Sequence, residues 1–412
     1  MPPIEQAEAG ISMDTQFDII IVGGGMVGAA LACALADGPW RVLLLEQHAL
    51  PQFSAEQPHD LRVSAVSLAS EALLSNLGVW PQVLAMRACP FRRMRVWEKA
   101  DGAGTLFSSQ ELGLDHLGHI VENKILQEAL WQRLQALPQV TCLAEASITK
   151  VQYRAEGSQV WLQDGQCFSA RLLVGADGLH SQVRQAAGIG ISGWDYDMQA
   201  LVAYVRTAYT QQDITWQRFT PNGPQAFLPL SGPYASLVWY ERPERVKALL
   251  GLDHQELLQA FQHHFPVELG EVVSLEAKTA FPLRRQHALD YAKAGVVLVG
   301  DAAHGIHPLA GQGVNLGFMD VAVLAELLLA EPQALGSAKL GQTFEQKRRR
   351  ANLAMMTLMD MFYRVFSNDV LPLKHLRALA LQVADKTGPL KQQAMKYALG
   401  LNADLPALAR FS

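Results

Sequence analysis

The segment from Phe17 to Glu46 constrains the fold more than any other part of the chain. It opens with an apolar run rich in β-branched residues, Ile19–Val22, which predicts a buried strand. An apolar helical stretch, a second strand over 41–45 and an acidic residue follow. Between the first strand and the helix stand three glycines at the G-x-G-x-x-G spacing: Gly23, Gly25 and Gly28. This order predicts a parallel α/β sheet that binds an adenine dinucleotide.

Each glycine of this motif has a physical role in such a site. Gly23 permits a tight turn, Gly25 lets a pyrophosphate approach the backbone, and Gly28 lets the helix pack closely on the strand. The free N–H groups at the helix N-terminus attract phosphates. Glu46 stands 18 positions after Gly28 and can accept hydrogen bonds from an adenosine ribose. The simpler alternative is a glycine turn that only packs one helix on one strand.

Composition and charge exclude several classes of protein. The chain has 412 residues, of which 50% are hydrophobic and 18% charged, which is typical of a folded protein with one large or two smaller domains. The net charge is −5, so the chain offers no basic surface for nucleic acid. The basic run Lys347–Arg350 is interpreted as a solvated helix face, with an anionic membrane surface as the alternative.

The cysteines and the N-terminal residues bear on metal content and location. The four cysteines form no C-x-x-C pair and no zinc-ligand spacing, so we expect no metal site and a reducing, cytoplasmic location. Residues 1–16 are acidic, lack a basic n-region and are expected to form a loose tail rather than a signal peptide.

The α/β pattern is interrupted between about residues 190 and 279. Short alternating runs rich in aromatic residues occur there and predict an antiparallel sheet, whose aromatic side chains either pack the core or line an apolar pocket. An apolar strand is predicted before this region, at 171–175, and another after it, at 295–300, and each is followed by a polar loop. The expected division is a discontinuous dinucleotide-binding domain (17–75, 100–188 and 280–350), a substrate-binding domain (76–99 and 189–279) and a C-terminal helical region (351–412).

Two further motifs follow these apolar strands. One runs from Gly175 through Asp177 and Gly178 to Arg184, and the other runs from Gly300 to Gly317. Each motif alone could be a glycine loop at a strand end. In this order and spacing, the three motifs resemble those of the single-component flavoprotein aromatic hydroxylases that share the para-hydroxybenzoate hydroxylase fold.

The resemblance covers nearly the whole chain and implies a resident FAD. The first motif would bind its ADP half, and the second would contact both FAD and a nicotinamide dinucleotide. In the third, Asp301 would accept a flavin ribityl or ribose hydroxyl, while backbone N–H groups at a helix start would face the flavin's pyrimidine end. The implied cofactor-binding residues are Gly23, Gly25, Gly28, Glu46, Arg62, Asp177, Gly178, Arg184, Gly300, Asp301, Gly311, Gln312, Gly313, Val314 and Asn315.

Three stretches narrow the resemblance to the ubiquinone-biosynthesis hydroxylases: 60–65, 227–239 and 366–401. They are most similar to the members that add the last ring hydroxyl to a polyprenyl methoxy-benzoquinol. Arg62 matches a family arginine that contacts the flavin, whereas Gly305 stands where many relatives carry threonine. The implied reaction begins with reduction of FAD by NADH or NADPH. O₂ then adds to form a C4a-hydroperoxide, whose terminal oxygen is attacked by the electron-rich ring.

No catalytic base can be assigned from the sequence. His304, His307 and Pro308 are candidates because they lie in the flavin loop, although a histidine there could equally fix the loop by a hydrogen bond. Arg184 could meet a dinucleotide phosphate or pair with a carboxylate. His180 is expected at the surface.

The expected partners and the competing functions stay open. The partners are a polyprenylated quinol, other ubiquinone-biosynthesis proteins and a second copy of the chain. The apolar C-terminal helices either pack on the flavin domain or form a hydrophobic substrate entrance at a membrane surface. The alternative functions are an FAD-dependent dehydrogenase or reductase of the same fold, hydroxylation at a different ring position, and a non-catalytic flavoprotein subunit.

Overall fold

The computed structural model describes residues 15–98, 104–265, 271–305, 313–366, 388–401 and 404–411. Its strands are β1 (Gln16–Val22), β2 (Val42–Leu45), β3 (Val63–Ser67), β4 (Cys89–Phe91), β5 (Arg93–Trp97), β6 (Thr105–Ser108), β7 (Gly118–Glu122), β8 (Val140–Leu143), β9 (Ile148–Gln152), β10 (Ser158–Leu162), β11 (Cys167–Gly175), β12 (Ile191–Thr207), β13 (Ile214–Thr220), β14 (Gly223–Pro229), β15 (Tyr234–Glu241), β16 (Val272–Ala288), β17 (Ala292–Lys293), β18 (Val296–Leu298) and β19 (His304–Gly305). Its α-helices are α1 (Met26–Leu35), α2 (Leu68–Asn76), α3 (Trp80–Met86), α4 (Asn123–Gln135), α5 (Gln182–Ala186), α6 (Pro243–Gly251), α7 (His254–His264), α8 (Gly313–Ala330), α9 (Ala338–Phe366) and α10 (Gly388–Ala398).

The first sheet is the one expected from the glycine motif. Its strands lie in the order β17-β18-β11-β1-β2-β8, and β18, β11, β1, β2 and β8 run parallel. The hairpin β9–β10 extends it through an antiparallel pairing with β11. The residues of β1 and β2 are almost wholly buried because helices such as α1, α4 and α8 cover the sheet. The predicted α/β fold class is therefore confirmed.

The second sheet contains the predicted antiparallel region. Its order is β19-β16-β12-β15-β14-β13-β5-β6, and all of its pairings are antiparallel except β13–β5. Sequence patterning missed β16 and the first half of β12. Both are strands of 17 residues whose outer parts alternate weakly between buried and exposed.

Pairing places two of the expected domain boundaries inside this second sheet. β6 pairs with β5, although residues 100–188 were expected in the dinucleotide-binding domain. β16 crosses residue 280, the other expected boundary. A small third sheet, β3-β7-β4, lies beside both. The division into domains stays a proposal, with these strands assigned to the second sheet.

The aromatic residues of the second sheet divide between its two faces. Trp216, Phe227 and Trp239 pack under α6 and α7 in a separate apolar core. The opposite face carries Tyr204 and Tyr240 beside smaller residues such as Val202 and Val238. Most of the aromatic residues therefore stabilise the sheet, as one of the two interpretations expected.

The C-terminal helices pack on the rest of the protein. In α9, Met355 and Met356 are buried, whereas Met361 is 53% exposed. Arg348 is also buried, so the interpretation of Lys347–Arg350 as a fully solvated face is wrong at this position. Among the described residues, only α8 is long and apolar enough to cross a membrane, and 61% of that window is buried inside the protein.

Candidate active site

The three sequence motifs meet at one edge of the first sheet. The parallel strands β18, β11 and β1 are neighbours, and their carboxyl ends lead directly into Gly300, Asp177 and Gly23. Ligands of open α/β sheets bind outside such strand ends. The topology thus brings together residues that are nearly 280 positions apart in the sequence, at the edge where a dinucleotide is expected.

The first glycine loop has the shape that its motif requires. Gly23 adopts a φ of +101°, and a Cβ there would lie 2.4 Å from the carbonyl oxygen of Ala176. At Gly28 a Cβ would lie 1.9 Å from the carbonyl oxygen of Gly23. A Cβ at Gly25 would meet no atom within 4 Å, so this position faces open space. Two glycines are therefore needed for packing, and the middle one leaves room for a ligand.

Glu46 closes this loop from the second strand. Its Oε2 accepts a hydrogen bond from the Gly24 N–H at 2.8 Å, and its Oε1 accepts one from the His48 N–H at 2.9 Å. Each carboxylate oxygen keeps capacity for another donor. Trp131 donates its indole N–H to the Gly24 carbonyl at 2.7 Å, a contact that the motif did not reveal. Glu46 is thus fixed by the backbone before any ribose arrives.

The second motif divides between loop geometry and structural support. Gly178 has a φ of +76° and faces open space. Asp177 accepts hydrogen bonds from the N–H groups of Gln182 and Val183 through Oδ2, whereas its buried Oδ1 has no partner. Burial raises the pKa of Asp177 against the opposing effect of these hydrogen bonds.

Arg184 is buried in the second motif, where desolvation lowers the pKa of its guanidinium and the charge of nearby Asp177 opposes this by raising it. It is 5% exposed, and its guanidinium donates to the carbonyl oxygens of Ala302, at 3.0 Å, and Leu179, at 2.9 Å. These bonds fasten the second motif to the third. The geometry favours a structural role over a phosphate contact, because the side chain is buried and used for the loop itself.

The third motif presents a carboxylate to an open space. Asp301 is an exposed residue that follows the end of β18. Desolvation by the surrounding protein raises the pKa of its carboxyl, and the charges of His304 and Arg62 oppose this by lowering it. The guanidinium of Arg62 lies 4.8 Å from the centroid of the Phe281 ring. A carboxyl group and a guanidinium thus face the same space from two different segments of the chain.

His304 is held away from this space. It is 1% exposed, and its Nε2 lies 2.5 Å from Oδ2 of Asp320 in α8. The same carboxylate oxygen accepts the Gly300 N–H at 3.0 Å. Of the two interpretations left open for His304, a hydrogen bond that fixes the loop is the one that matches this geometry.

Asp320 anchors a buried polar network that sequence analysis missed. Its Oδ1 accepts from Nε of Arg348 at 2.7 Å and from Nδ2 of Asn352 at 3.1 Å. Burial alone would raise the pKa of Asp320, but the charges and hydrogen bonds of His304 and Arg348 hold it well below its usual value. The available signal was a carboxylate on a strongly apolar helix, which needs a buried partner.

The start of α8 combines a structural side chain with an accessible backbone. The Asn315 side chain accepts from the Ser67 N–H at 3.0 Å and donates to the Ala65 carbonyl at 2.8 Å, so it joins α8 to the end of β3. Gly313 and Val314 line the open space. Four predicted site residues, His307, Pro308, Gly311 and Gln312, lie outside the described residues.

A cavity of about 710 Å³ joins these motifs to the second sheet. This volume is typical of a site for an organic ligand. One side consists of predicted cofactor residues, and the other is an apolar face of the second sheet. The predicted residues that line it are Gly25, Arg62, Gly178, Gly300, Asp301, Gly313 and Val314.

Comparison with known proteins identifies the family. Residues 16–358 match the family described as the FAD binding domain. The chain is 46% identical to the 3-demethoxyubiquinol 3-hydroxylase of Escherichia coli (strain K12), over 93% of this chain and 98% of that protein. It is 36% identical to the mitochondrial ubiquinone biosynthesis monooxygenase COQ6 of Homo sapiens, over 95% of this chain and 94% of that protein.

The chain belongs to the ubiquinone-biosynthesis hydroxylase family. It is an FAD-dependent monooxygenase. A solved structure, that of p-nitrophenol 4-monooxygenase PnpA from Pseudomonas putida DLL-E4, shares the fold with a TM-score of 0.76 at 18% identity, covering 94% of this chain and 99% of that one.

The residues of this hydroxylase fit FAD. Gly25 and Gly178 leave open space where a Cβ would stand. The first residues of α8 line the cavity, so N–H groups at a helix N-terminus are available for an electron-rich ring. Asp301 offers an acceptor for a hydroxyl. The fit rests on accessible backbone N–H groups, which can bind phosphates, and on a carboxylate, which can accept a hydrogen bond from a hydroxyl.

Proposed function

We propose that this enzyme hydroxylates the ring of a polyprenylated benzoquinol or phenol in ubiquinone biosynthesis, with NADH or NADPH as electron donor and O₂ as oxygen source. One observation carries the proposal: a single cavity is bounded by the cofactor motifs on one side and by an apolar sheet face on the other. The names of the two relatives agree with a ubiquinone precursor as substrate. We further propose that the ring position is the one named for the bacterial relative.

The cofactor would be held by backbone more than by side chains. Gly25 and the start of α1 would receive the pyrophosphate, with Glu46 at the adenosine ribose. Gly178 and Asp301 would contact the middle of the molecule, and Gly313 and Val314 would face the flavin. When bound, FAD supplies the redox chemistry, taking up a hydride and passing electrons to O₂.

The apolar face provides a site for a hydrophobic ring. Alternate residues of neighbouring strands point to one face of a sheet, so Val202, Val238 and Ala226, which stand side by side in the register, form one row. All three line the cavity. Phe107 and two residues at the C-terminal end of the chain, Met395 and Leu399, add a further apolar wall. This apolar lining suits a polyprenyl-substituted ring.

Few ionisable groups are available inside the cavity. Among the described residues that line it, they are Arg62, Tyr240, Arg284 and Asp301, and none is a histidine. Burial raises the pKa of Tyr240, so this side chain stays neutral. Proton transfer would then fall to the quinol's own hydroxyl and solvent, because an electron-rich quinol needs no strong base. Arg62 would orient and stabilise negative charge rather than accept a proton.

Oxygen labelling tests the reaction. Purified enzyme loaded with FAD is supplied with NADH, a short-chain demethoxybenzoquinol and ¹⁸O₂, and the product is analysed by mass spectrometry. We expect one ¹⁸O atom per product molecule. A product without label, formed together with NADH oxidation, would instead indicate a dehydrogenase or reductase.

Genetic replacement tests the ring position. The chain is expressed in a bacterium that lacks its own 3-demethoxyubiquinol 3-hydroxylase, and quinones are extracted. We expect the accumulated demethoxy intermediate to disappear and ubiquinone to return. If this intermediate persists while a strain lacking a different ring hydroxylase is rescued, the family assignment holds and the position is wrong.

We also propose peripheral contact with the membrane that holds the lipid substrate. Exposed apolar residues cluster near the end of α9: Trp194 lies under Arg285, which pairs with Asp360, the residue before exposed Met361. Flotation with anionic liposomes tests this proposal. Binding that is lost in a Trp194→Ser, Met361→Ser variant supports it, and wild-type protein that stays at the bottom of the gradient contradicts it.

A further inference from the structure

Three ligand-type side chains converge behind the cavity wall. Glu71 lies on α2, His119 lies on β7, and His116 lies in the loop just before β7. The Oε2 atom of Glu71 is 2.9 Å from Nε2 of His116 and 3.1 Å from Nδ1 of His119. One atom from each side chain falls within a group no wider than 4.8 Å. We propose that these residues form a binding site for a divalent transition-metal ion of the zinc class.

The donor set matches this class of ion. Two imidazoles and one carboxylate form a frequent three-residue ligand set for Zn²⁺, with water in the fourth position. Bond lengths of about 2.0–2.1 Å in a tetrahedron place ligand atoms roughly 3.3 Å apart. The two separations from Glu71, 2.9 and 3.1 Å, therefore need to grow by a few tenths of an ångström. The two histidine nitrogens, which lie within 4.8 Å of each other, need to be held at a similar separation. No metal site was expected from the cysteine spacing, and no local motif reveals this cluster because Glu71 is 45 residues from His116.

The three ligands are held in place and remain reachable. Glu71 and His119 are buried, and the ring of Trp80 contacts His119 edge-on with centroids 5.1 Å apart. The His116 side chain is 21% exposed, which leaves a route for the ion and its water.

The position of the cluster indicates a structural role for the metal. None of the three residues lines the cavity, but Leu117, between the two histidines, does. β7 pairs with β3, whose residues 63–67 also line it. An ion here would join α2 to β7 and stiffen the wall that carries Arg62 and Ser67. The effect would be on stability, with no step of the hydroxylation passing through the ion.

Metal binding to the FAD-loaded full chain tests the proposal. Protein treated with a chelator is dialysed against micromolar ZnCl₂, bound zinc is quantified by mass spectrometry, and affinity is measured by calorimetry. We expect one zinc per chain and an increase in the unfolding temperature. His116→Asn should weaken binding at least tenfold, and Glu71→Gln should weaken it further.

The control variant is His254→Asn, which alters an exposed imidazole at the start of α7. It should bind zinc as the wild type does. Absence of a stoichiometric zinc at these concentrations would overturn the proposal and leave a hydrogen-bonded triad. Binding that His116→Asn and His254→Asn weaken equally would overturn it too, since the ion would then lie elsewhere. The His116 side chain is partly exposed, so we expect the His116→Asn variant to fold, and circular dichroism verifies this.

Discussion

Gly28 has no room for a side chain. A Cβ would lie 1.9 Å from the carbonyl oxygen of Gly23, so α1 would have to move away from β1. We expect Gly28→Ala to lower stability by about 2 kcal/mol or more and to reduce FAD content severely. Gly251→Ala is the matched control, because a Cβ there meets nothing within 4 Å. Urea unfolding and flavin absorbance measure both effects, and retention of full FAD content in Gly28→Ala would contradict the prediction.

His59 makes stability depend on pH. It is buried, with Nδ1 3.1 Å from the Tyr204 hydroxyl, and burial together with the charge of Arg87 lowers its pKa from 6.5 to about 4. Between these values the unfolded chain binds more protons, so stability is complete above pH 6.5 and is lost as the pH falls through 4. The loss amounts to at most roughly 3 kcal/mol for this residue.

The corresponding variant is His59→Gln, compared with the wild type by urea unfolding at pH 7.5 and pH 5. We expect a smaller loss of stability at pH 5 in the variant. The dependence should not vanish, because burial also lowers the pKa of His287 to about 4. Equal losses in the two proteins would show that His59 is not responsible.

At the scale of elements, Asp320 joins α8 to α9 and to the loop after β18. Asp320→Asn leaves Arg348 buried without its counter-charge, which we expect to destabilise the protein by about 3–5 kcal/mol. It also weakens the acceptor of the Gly300 N–H, so FAD content should fall. Chemical unfolding and flavin absorbance provide the two readouts.

Two further variants test whether the unpaired buried charge causes the loss of stability. Arg349→Gln breaks only a partly exposed pair with Glu345, and we expect it to cost less than about 1 kcal/mol. Adding Arg348→Met to Asp320→Asn removes the unpaired charge and should recover part of the lost stability. If the double variant is no more stable than the single one, the buried charge is not the cause.

Local patterns in the sequence were sufficient for the elements whose periodicity is strong. The strand before Gly23, the antiparallel runs of residues 200–240 and α8 are where alternation or apolar periodicity placed them. The pairing of Asp320 with Arg348 and the convergence of Glu71 with two histidines depend on tertiary contacts that no local pattern encodes. Local patterns also missed β16, because its residues alternate only weakly between buried and exposed. Its place in the sheet is set by pairing with β12 and β19.

At the scale of the whole molecule, the cofactor site depends on how the chain returns to one sheet. The glycine motif alone indicated a dinucleotide and nothing about its identity. β11 and β18 lie beside β1 in parallel register, so their carboxyl ends bring the second and third motifs to the same edge. The second sheet then closes the cavity over it. Neither relation follows from any one segment, because the three motifs come from strands that lie far apart in the sequence.

This arrangement predicts how FAD stabilises the protein. A bound ligand makes local opening of the chain less favourable at the segments that it contacts. FAD should therefore slow hydrogen exchange in several distant segments together. In hydrogen exchange of FAD-free and FAD-loaded protein, we expect slower exchange at 23–28, 61–66, 176–180, 299–305 and 313–317. The helices α6 and α7 pack on the far face of the second sheet and should change little. The parallel register of β1, β11 and β18 places the three motifs at one edge, so all of the named segments should respond to one ligand. Protection confined to 23–46 would mean that the second and third motifs do not share the cofactor site.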